Sequence, residues 1–134
     1  MMGDTGAYSP TILAHFRRPR NYGSLPNATA EAEGVNPLCG DRIRIAVVID
    51  DQAIREARFT ANACAICVAA ASLLTEHLRG MSLHSATRLQ EHEILALVGD
   101  GVPTARRKCA TLPLAALHRA IAAAEGTPID PTGV

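Results

Sequence analysis

The sequence has few aromatic side chains, no net charge and no long apolar run. Aromatic residues make up only 3% of the 134 positions and tryptophan is absent, although hydrophobic residues reach 48%. The core is therefore expected to consist of thin aliphatic side chains and closely packed helices. A chain of this length can bury such a core without disulfide bonds.

The 13 basic and 13 acidic residues balance, which leaves no basic surface of the kind that binds nucleic acid or a membrane. The longest apolar run, residues 63–71, is too short to cross a bilayer and predicts a buried helix. The first residues do not resemble a secretory signal. We therefore expect a cytoplasmic protein whose four cysteines stay reduced.

The spacing of apolar residues and helix breakers predicts an α+β fold, with helices covering a small three-stranded antiparallel sheet. Period-two alternation predicts strands at residues 27–34, 43–49 and 54–61, the last two forming a hairpin. Helices are expected at residues 10–18, 64–80, 89–98 and 111–124, with a short turn or helix at 82–87. Pro113 fits the last helix only if that helix begins near Thr111.

The whole chain, residues 1–134, is expected to form one domain. Its core should span about residues 8–124. Residues 1–6 and 127–134 are predicted to be tails, because they show no apolar periodicity and the C-terminal stretch contains two prolines.

Cysteines lie at junctions of the predicted elements. Cys39 lies in a turn, within NPLCGD; Cys64 and Cys67 form a C-x-x-C at the start of a helix; and Cys109 lies just before the last helix. Unpaired N–H groups at a helix N-terminus favour an anion, so the pKa of Cys64 and of Cys109 is expected to be lowered. The basic run at 106–108 should lower the pKa of Cys109 further.

The spacing of Cys39 and Asp41 suggests a shared ion, since residues two apart in an extended segment point the same way. Thiolate and carboxylate ligands together suit zinc or iron. A second C-x-x-C is missing, which argues against a zinc ribbon or finger. Cys67 is open to two interpretations, as a buried apolar side chain or as a further ligand.

Four segments together resemble a known family. PRNYG, NPLCGD, RFTANACAICVAAAS and KCATL occur in the order of the blocks of the iron–sulfur cluster assembly scaffolds, namely IscU, SufU and the N-terminal domain of NifU. The resemblance covers about residues 8–124 and implies the IscU-like scaffold fold. It also implies the ligand set Cys39, Asp41, Cys64 and Cys109.

Such scaffolds receive sulfur from a cysteine desulfurase, combine it with iron into a transient [2Fe-2S] cluster and pass the cluster to apo-proteins. Zn²⁺ can occupy the same residues in this family. The resemblance therefore implies a cysteine desulfurase and apo iron–sulfur recipient proteins as partners.

Three positions depart from the family pattern. Ala63 replaces the usual glycine before the second cysteine, and Cys67 is an additional cysteine. Lys108 stands where IscU-type chains have histidine. KCATL is SufU-like, yet the interval between Cys64 and Cys109 lacks the SufU insertion.

Several functions remain open at this stage. The first is a cluster scaffold, which is a carrier more than an enzyme. The second is a zinc-dependent sulfur acceptor, a sulfurtransferase component that activates a desulfurase. A structural zinc domain and a thiol redox role for the C-x-x-C are further alternatives. The basic run at 106–108 is either a docking surface for a desulfurase or a solvated turn.

Overall fold

Three antiparallel strands form one sheet in the order β1-β2-β3. β1 is Ala30–Asn36, β2 is Asp41–Asp50 and β3 is Ala53–Asn62. The computed structural model describes residues 8–125, so both predicted tails lie outside the described residues. The prediction of three antiparallel strands is confirmed, although β1 lies two to three residues further along the chain than expected.

Within residues 8–125, five helices follow the predicted order, and a short 3-10 turn at Thr104–Arg106 precedes the last one. They are α1 Pro10–Arg17, α2 Ala65–Leu78, α3 Leu83–Thr87, α4 Glu91–Val98 and α5 Arg107–Ala124. The hydroxyl of Ser9 accepts a hydrogen bond from the Ile12 N–H at 3.2 Å and caps α1, with Pro10 in the first turn as predicted. Within residues 8–125, no helix is long and apolar enough to cross a membrane.

The alternation along β2 separates a buried face of the sheet from an exposed one. Ile43, Ile45 and Val47 are fully buried under the helices. Arg42 and Arg44 point the other way and pair across the strand with glutamates of β1, at 2.8 and 2.9 Å. The core therefore occupies one side of the sheet, and the other side is a charged surface.

The hairpin between β2 and β3 closes through the two residues Asp51 and Gln52, which both have positive φ, 52° and 61°. This is the backbone of a type I′ turn, whose twist matches that of the strands it joins. The predicted turn is thus confirmed. The turn sets the pairing of Asp50 with Ala53, and a register shift between Val48 and Ile49 then brings Ile45 of β2 opposite Phe59 of β3.

Helices α2 and α5 cover the buried face of the sheet, and α1 and α4 pack against α2. The middle of α2 carries small side chains, and Ala69, Ala70 and Ala71 are fully buried there. Their small size lets the neighbouring elements approach α2 closely. Gly34 of β1 serves the same purpose for α5. A Cβ placed at Gly34 would lie 3.2 Å from the Cβ of Ala116.

A polar contact ties the loop after α1 to α2. Ser72, fully buried on α2, accepts a hydrogen bond from the backbone N–H of Arg20 at 2.8 Å. Its hydroxyl therefore has its proton available for Nδ1 of His15, 2.7 Å away. This arrangement favours the neutral imidazole, and burial lowers the pKa of His15.

Candidate metal centre

Three segments that are distant in sequence meet at one end of the sheet. They are the turn between β1 and β2, the start of α2 and the first turn of α5. Each carries a cysteine, namely Cys39, Cys64 and Cys109, and β2 adds Asp41 at its first position. The fold therefore brings three distant sequence blocks and one carboxylate to the same place.

The turn that carries Cys39 is held by Asn36. The side-chain oxygen of Asn36 accepts from the Leu38 N–H at 3.1 Å, and its carbonyl accepts from the Gly40 N–H at 2.8 Å. Gly40 has φ +79°, a backbone conformation that residues other than glycine rarely adopt. The turn exposes the Cys39 side chain, as its loop position predicted.

Asp41 is the first residue of β2 and is only 5% exposed. Its Oδ1 accepts a hydrogen bond from the backbone N–H of Cys64 at 3.1 Å. Its Oδ2 is also buried and has no hydrogen-bond partner. A buried carboxylate oxygen without a partner is costly, so this atom is suited to receive a cation or a proton.

Cys109 lies inside α5, and the prediction that this helix starts near Thr111 is wrong. The 3-10 turn leads into a helix that begins at Arg107, so Cys109 is its third residue and Pro113 its seventh. Proline has no N–H to donate to the carbonyl four residues earlier, which here is that of Cys109. The helix tolerates this because its remaining residues pack against β1 and α2.

Three candidate ligand atoms converge, one each from Cys39, Asp41 and Cys109, all within 4.8 Å of one another. The sulfur atoms of Cys39 and Cys109 are 3.8 Å apart. Cys64, the fourth residue implied by the resemblance, is not part of this group of three. Cys64 is the N-cap of α2 and is half-buried, and it contacts the group through its backbone N–H.

Burial raises the pKa of the Cys109 thiol, with further contributions from Cys64, Asp41 and Cys39. The expectation that its helix position would lower this pKa is therefore wrong. Cys109 is 2% exposed, and the loss of hydration outweighs the helix N-terminus. A cation bound among these groups would lower the pKa of the Cys109 thiol again, because a positive charge favours the thiolate.

Cys67 is fully buried on the first turn of α2, three residues after Cys64. Burial is the main cause of its raised pKa, followed by the nearby charges of Asp41, Cys64, Cys109 and Cys39. Its sulfur is outside the convergent group of three. Cys67 therefore lies directly behind the site, on the core side of it.

Arg106 belongs to the basic run that the sequence analysis expected to act on Cys109, and its contact with Cys64 was not predicted. Its guanidinium faces Cys64 and Cys109, and its contact with Cys64 raises the pKa of Arg106. The signal in the sequence was its position three residues before Cys109, which is one turn in a helical segment. Arg106 is exposed and gives the rim of the site a positive charge.

Sequence comparison places the chain in a family. Residues 7–129 match the NifU-like N terminal domain. The chain belongs to this family of NifU-like N-terminal domains. The suspected membership of the IscU, SufU and NifU group is thereby confirmed for nearly the whole chain.

Named relatives include both branches considered above. The chain is 32% identical to the zinc-dependent sulfurtransferase SufU of Bacillus subtilis, covering 89% of this chain and 92% of the relative. It is 32% identical to the iron–sulfur cluster assembly scaffold protein IscU 1 of Archaeoglobus fulgidus, covering 85% and 74% respectively.

A longer relative and a solved structure complete the comparison. The bifunctional protein NifU/MnmA of Rubrobacter xylanophilus is 35% identical over 84% of this chain, but this chain spans only 23% of its length. The solved N-terminal part of a NifU-like protein from Brucella abortus superposes with a TM-score of 0.73 at 18% identity, covering 88% of this chain and 94% of that one. This similarity confirms the predicted IscU-like α+β fold.

Proposed function

We propose that this chain is a scaffold for iron–sulfur cluster assembly, with Cys39, Asp41, Cys64 and Cys109 as the ligands of a transient [2Fe-2S] cluster. The observation that carries the proposal is the convergence of two thiols and one buried carboxylate within 4.8 Å. Iron and sulfide are the substrates of such a protein. A cysteine desulfurase supplies the sulfur, and apo iron–sulfur proteins receive the product.

The composition of the site suits a cargo that must leave again. Thiolates are the usual ligands of iron–sulfur clusters. A carboxylate is a harder ligand than a thiolate, so Asp41 holds one iron less firmly than a fourth cysteine would. Cys39 is exposed, which gives iron and a recipient protein access to the cluster.

Cys64 completes the ligand set by rotation of one side chain. It lies at the N-cap of α2, and its backbone N–H is already bonded to Asp41 at 3.1 Å. An N-cap residue lies outside the helical backbone, so its side chain is less restricted than that of a residue within the helix. Arg106 is the cation beside this thiol.

A zinc-dependent sulfur acceptor is the second candidate, supported by KCATL and by the similarity to the SufU relative. Zinc accepts thiolate and carboxylate ligands in a tetrahedral arrangement, and the partnerless Oδ2 of Asp41 is a suitable oxygen donor. The same four residues would hold the ion. Bound zinc would keep the cysteines as thiolates, ready to accept sulfur from a desulfurase.

The proposed scaffold is a single domain, residues 1–134, with a core of about residues 8–124. The cytoplasm is its proposed location, because cysteines remain reduced there and available to iron. The family match over residues 7–129 supports the proposed domain.

Anaerobic reconstitution tests the scaffold function. The purified chain is incubated with ferrous iron and sodium sulfide and desalted, and iron, acid-labile sulfide and visible absorption are measured. We expect about two irons and two sulfides per chain, as a [2Fe-2S] cluster contains. Cys39→Ser and Cys109→Ser should lose most of both, whereas Asp50→Ala, at the other end of β2, should retain them.

Zinc analysis of the same preparations separates the two candidates. Tightly held zinc, no labile sulfide under any condition and faster turnover of an added desulfurase would favour the sulfur acceptor. Equal iron and sulfide in the parent chain and in Cys39→Ser would contradict the ligand assignment.

A further inference from the structure

The C-x-x-C at the start of α2 contains a thiol that the proposed ligand set does not use. Cys64 is the N-cap residue and Cys67 is the third residue of the helix. An N-cap residue and the third residue of the helix lie on the same side of its first turn. Residues three apart have Cβ atoms about 5–6 Å apart in a helix, and a disulfide needs about 3.5–4.5 Å, so formation of the bond requires the non-helical N-cap residue Cys64 to move about 1–2 Å toward Cys67.

The surroundings of Cys67 favour reaction with Cys64 over reaction with solutes. Cys67 is fully buried, whereas Cys64 is half-buried and reachable from outside. Molecules in solution therefore reach Cys64 more readily than Cys67. Asp41 lies near Cys67, and its buried Oδ2, which has no hydrogen-bond partner, can accept a thiol proton.

We propose that Cys67 is an internal reductant, which converts a sulfane sulfur carried on Cys64 into sulfide within the site. The inference rests on the proposed function, because it concerns how the scaffold obtains its sulfide. A persulfide donor first transfers its outer sulfur to Cys64. Cys67 then attacks the inner sulfur, Sγ of Cys64, and the outer sulfur leaves as sulfide.

The second step balances without an added reductant. Cys64–S–SH and Cys67–SH yield the Cys64–Cys67 disulfide and one H₂S. The bond between the two sulfurs of the persulfide breaks, and a bond between the two cysteine sulfurs forms. The two cysteines lose two electrons, which reduce the sulfane sulfur. The proton of Cys67 leaves with the sulfide. A dithiol reductant restores the pair for the next turnover.

A competing pair lies nearby, since the sulfurs of Cys39 and Cys109 are 3.8 Å apart. A disulfide between those residues would remove two of the three convergent ligands. A Cys64–Cys67 disulfide leaves Cys39, Asp41 and Cys109 free to bind the iron that meets the released sulfide. The C-x-x-C disulfide thus leaves these three convergent ligands in place, and the dithiol reductant that reopens it returns Cys64 to the ligand set.

Peptide mapping can tell the two pairs apart. Trypsin releases Cys64 and Cys67 together in the peptide 59–79, Cys39 in the peptide 21–42 and Cys109 in the peptide 109–119. The reduced chain, free of metal and thiols, receives glutathione persulfide. After alkylation, we expect the peptide 59–79 with an internal disulfide, lighter by two hydrogens than its dithiol form. About one sulfide per chain should be released.

Two variants of Cys67 provide the decisive comparison. Cys67→Ser and Cys67→Ala should retain the extra sulfur on peptide 59–79, with sulfide release reduced at least about tenfold. Circular dichroism confirms that both variants remain folded, and the use of two small residues separates the loss of the thiol from a packing effect. Sodium sulfide should restore cluster formation in both variants, because it bypasses the reduction.

Further outcomes separate this inference from the scaffold function. Cys109→Ser should lose the cluster yet still form the disulfide on peptide 59–79. A disulfide joining peptides 21–42 and 109–119 would overturn the inference. Equal sulfide release from the parent chain and Cys67→Ala would also overturn it, as would the absence of both persulfide and disulfide on peptide 59–79.

Discussion

Replacement of Asp41 by alanine should separate metal binding from folding. The Asp41 side chain makes one hydrogen bond, from the Cys64 N–H to Oδ1 at 3.1 Å. A hydrogen bond contributes about 0.5–1.5 kcal/mol to stability. The second oxygen is buried without a partner, and a buried unsatisfied polar group costs about 1–3 kcal/mol.

These two contributions have opposite signs and similar size. The free energy of unfolding of metal-free Asp41→Ala should therefore lie within about 1 kcal/mol of the parent value. Zinc should have a different effect on the two proteins. At a free concentration of 100 times the dissociation constant, a ligand stabilises the native state by about 2.7 kcal/mol. A 100-fold loss of affinity reduces this to about 0.4 kcal/mol.

Urea unfolding with and without zinc, followed by circular dichroism, measures both effects. Asp50→Ala is the matched control, since Asp50 ends the same strand, its side chain is 74% exposed, and its ion pair with Arg55 spans 3.8 Å. This control should keep the full zinc stabilisation. Retention of that stabilisation by Asp41→Ala, or a loss of more than about 3 kcal/mol without metal, would refute the reasoning.

Further predictions concern the packing and the pH dependence of the fold. Gly34→Ala should lower the free energy of unfolding by about 1 kcal/mol, because the new Cβ lies 3.2 Å from that of Ala116. Thermal unfolding measures this loss, and unchanged stability would contradict the prediction by showing that α5 can move away. Leu74→Ala, at a fully buried position, should cost about 2–5 kcal/mol in urea unfolding, and Leu38→Ala, at a 94% exposed position, should cost less than about 0.5 kcal/mol. Burial lowers the pKa of His15 below its ordinary value of 6.5. The folded state therefore binds a proton at His15 less readily than the unfolded state does. As a result, the free energy of unfolding should fall as the pH drops from 6.5 through the lowered pKa. His15→Asn should show a smaller fall of the urea midpoint over this range; an equal fall would assign the pH dependence to other groups.

Local sequence patterns predicted most of the fold because the decisive interactions are local. The alternation of Ile43 and Ile45 with arginines defines one buried face, and the polar residues 50–52 interrupt this alternation and predict the turn. The α2 helix follows from an apolar run of helical length. In each case the residues that determine the element lie within the element itself.

Tertiary packing decided the parts that the sequence predicted wrongly. The rule that proline belongs in the first turn placed the start of α5 near Thr111, but contacts with β1 and α2 sustain a helix from Arg107 through Pro113. The pKa of Cys109 was predicted from its helix position, whereas its burial under neighbouring segments determines the direction. Such burial depends on elements far away in sequence.

The candidate site was predicted in part. Cys39 and Asp41 were linked by their spacing, and Cys109 joined them only through the resemblance to the scaffold family. The contact between Arg106 and Cys64 joins residues 42 positions apart, so no local pattern indicates it. The place of Cys67 behind the site also required the packing of α2 to be known.

Transfer of a cluster to a recipient protein tests the proposed function most directly. The chain is loaded with iron and sulfide, desalted and mixed with an apo-ferredoxin in the presence of an iron chelator, and ferredoxin formation is followed by circular dichroism. The scaffold proposal predicts transfer that outpaces capture of iron by the chelator, and slower transfer from Asp41→Ala, which lacks the exchangeable oxygen ligand. A cluster that stays on the chain, or one lost only to the chelator, would contradict the proposal.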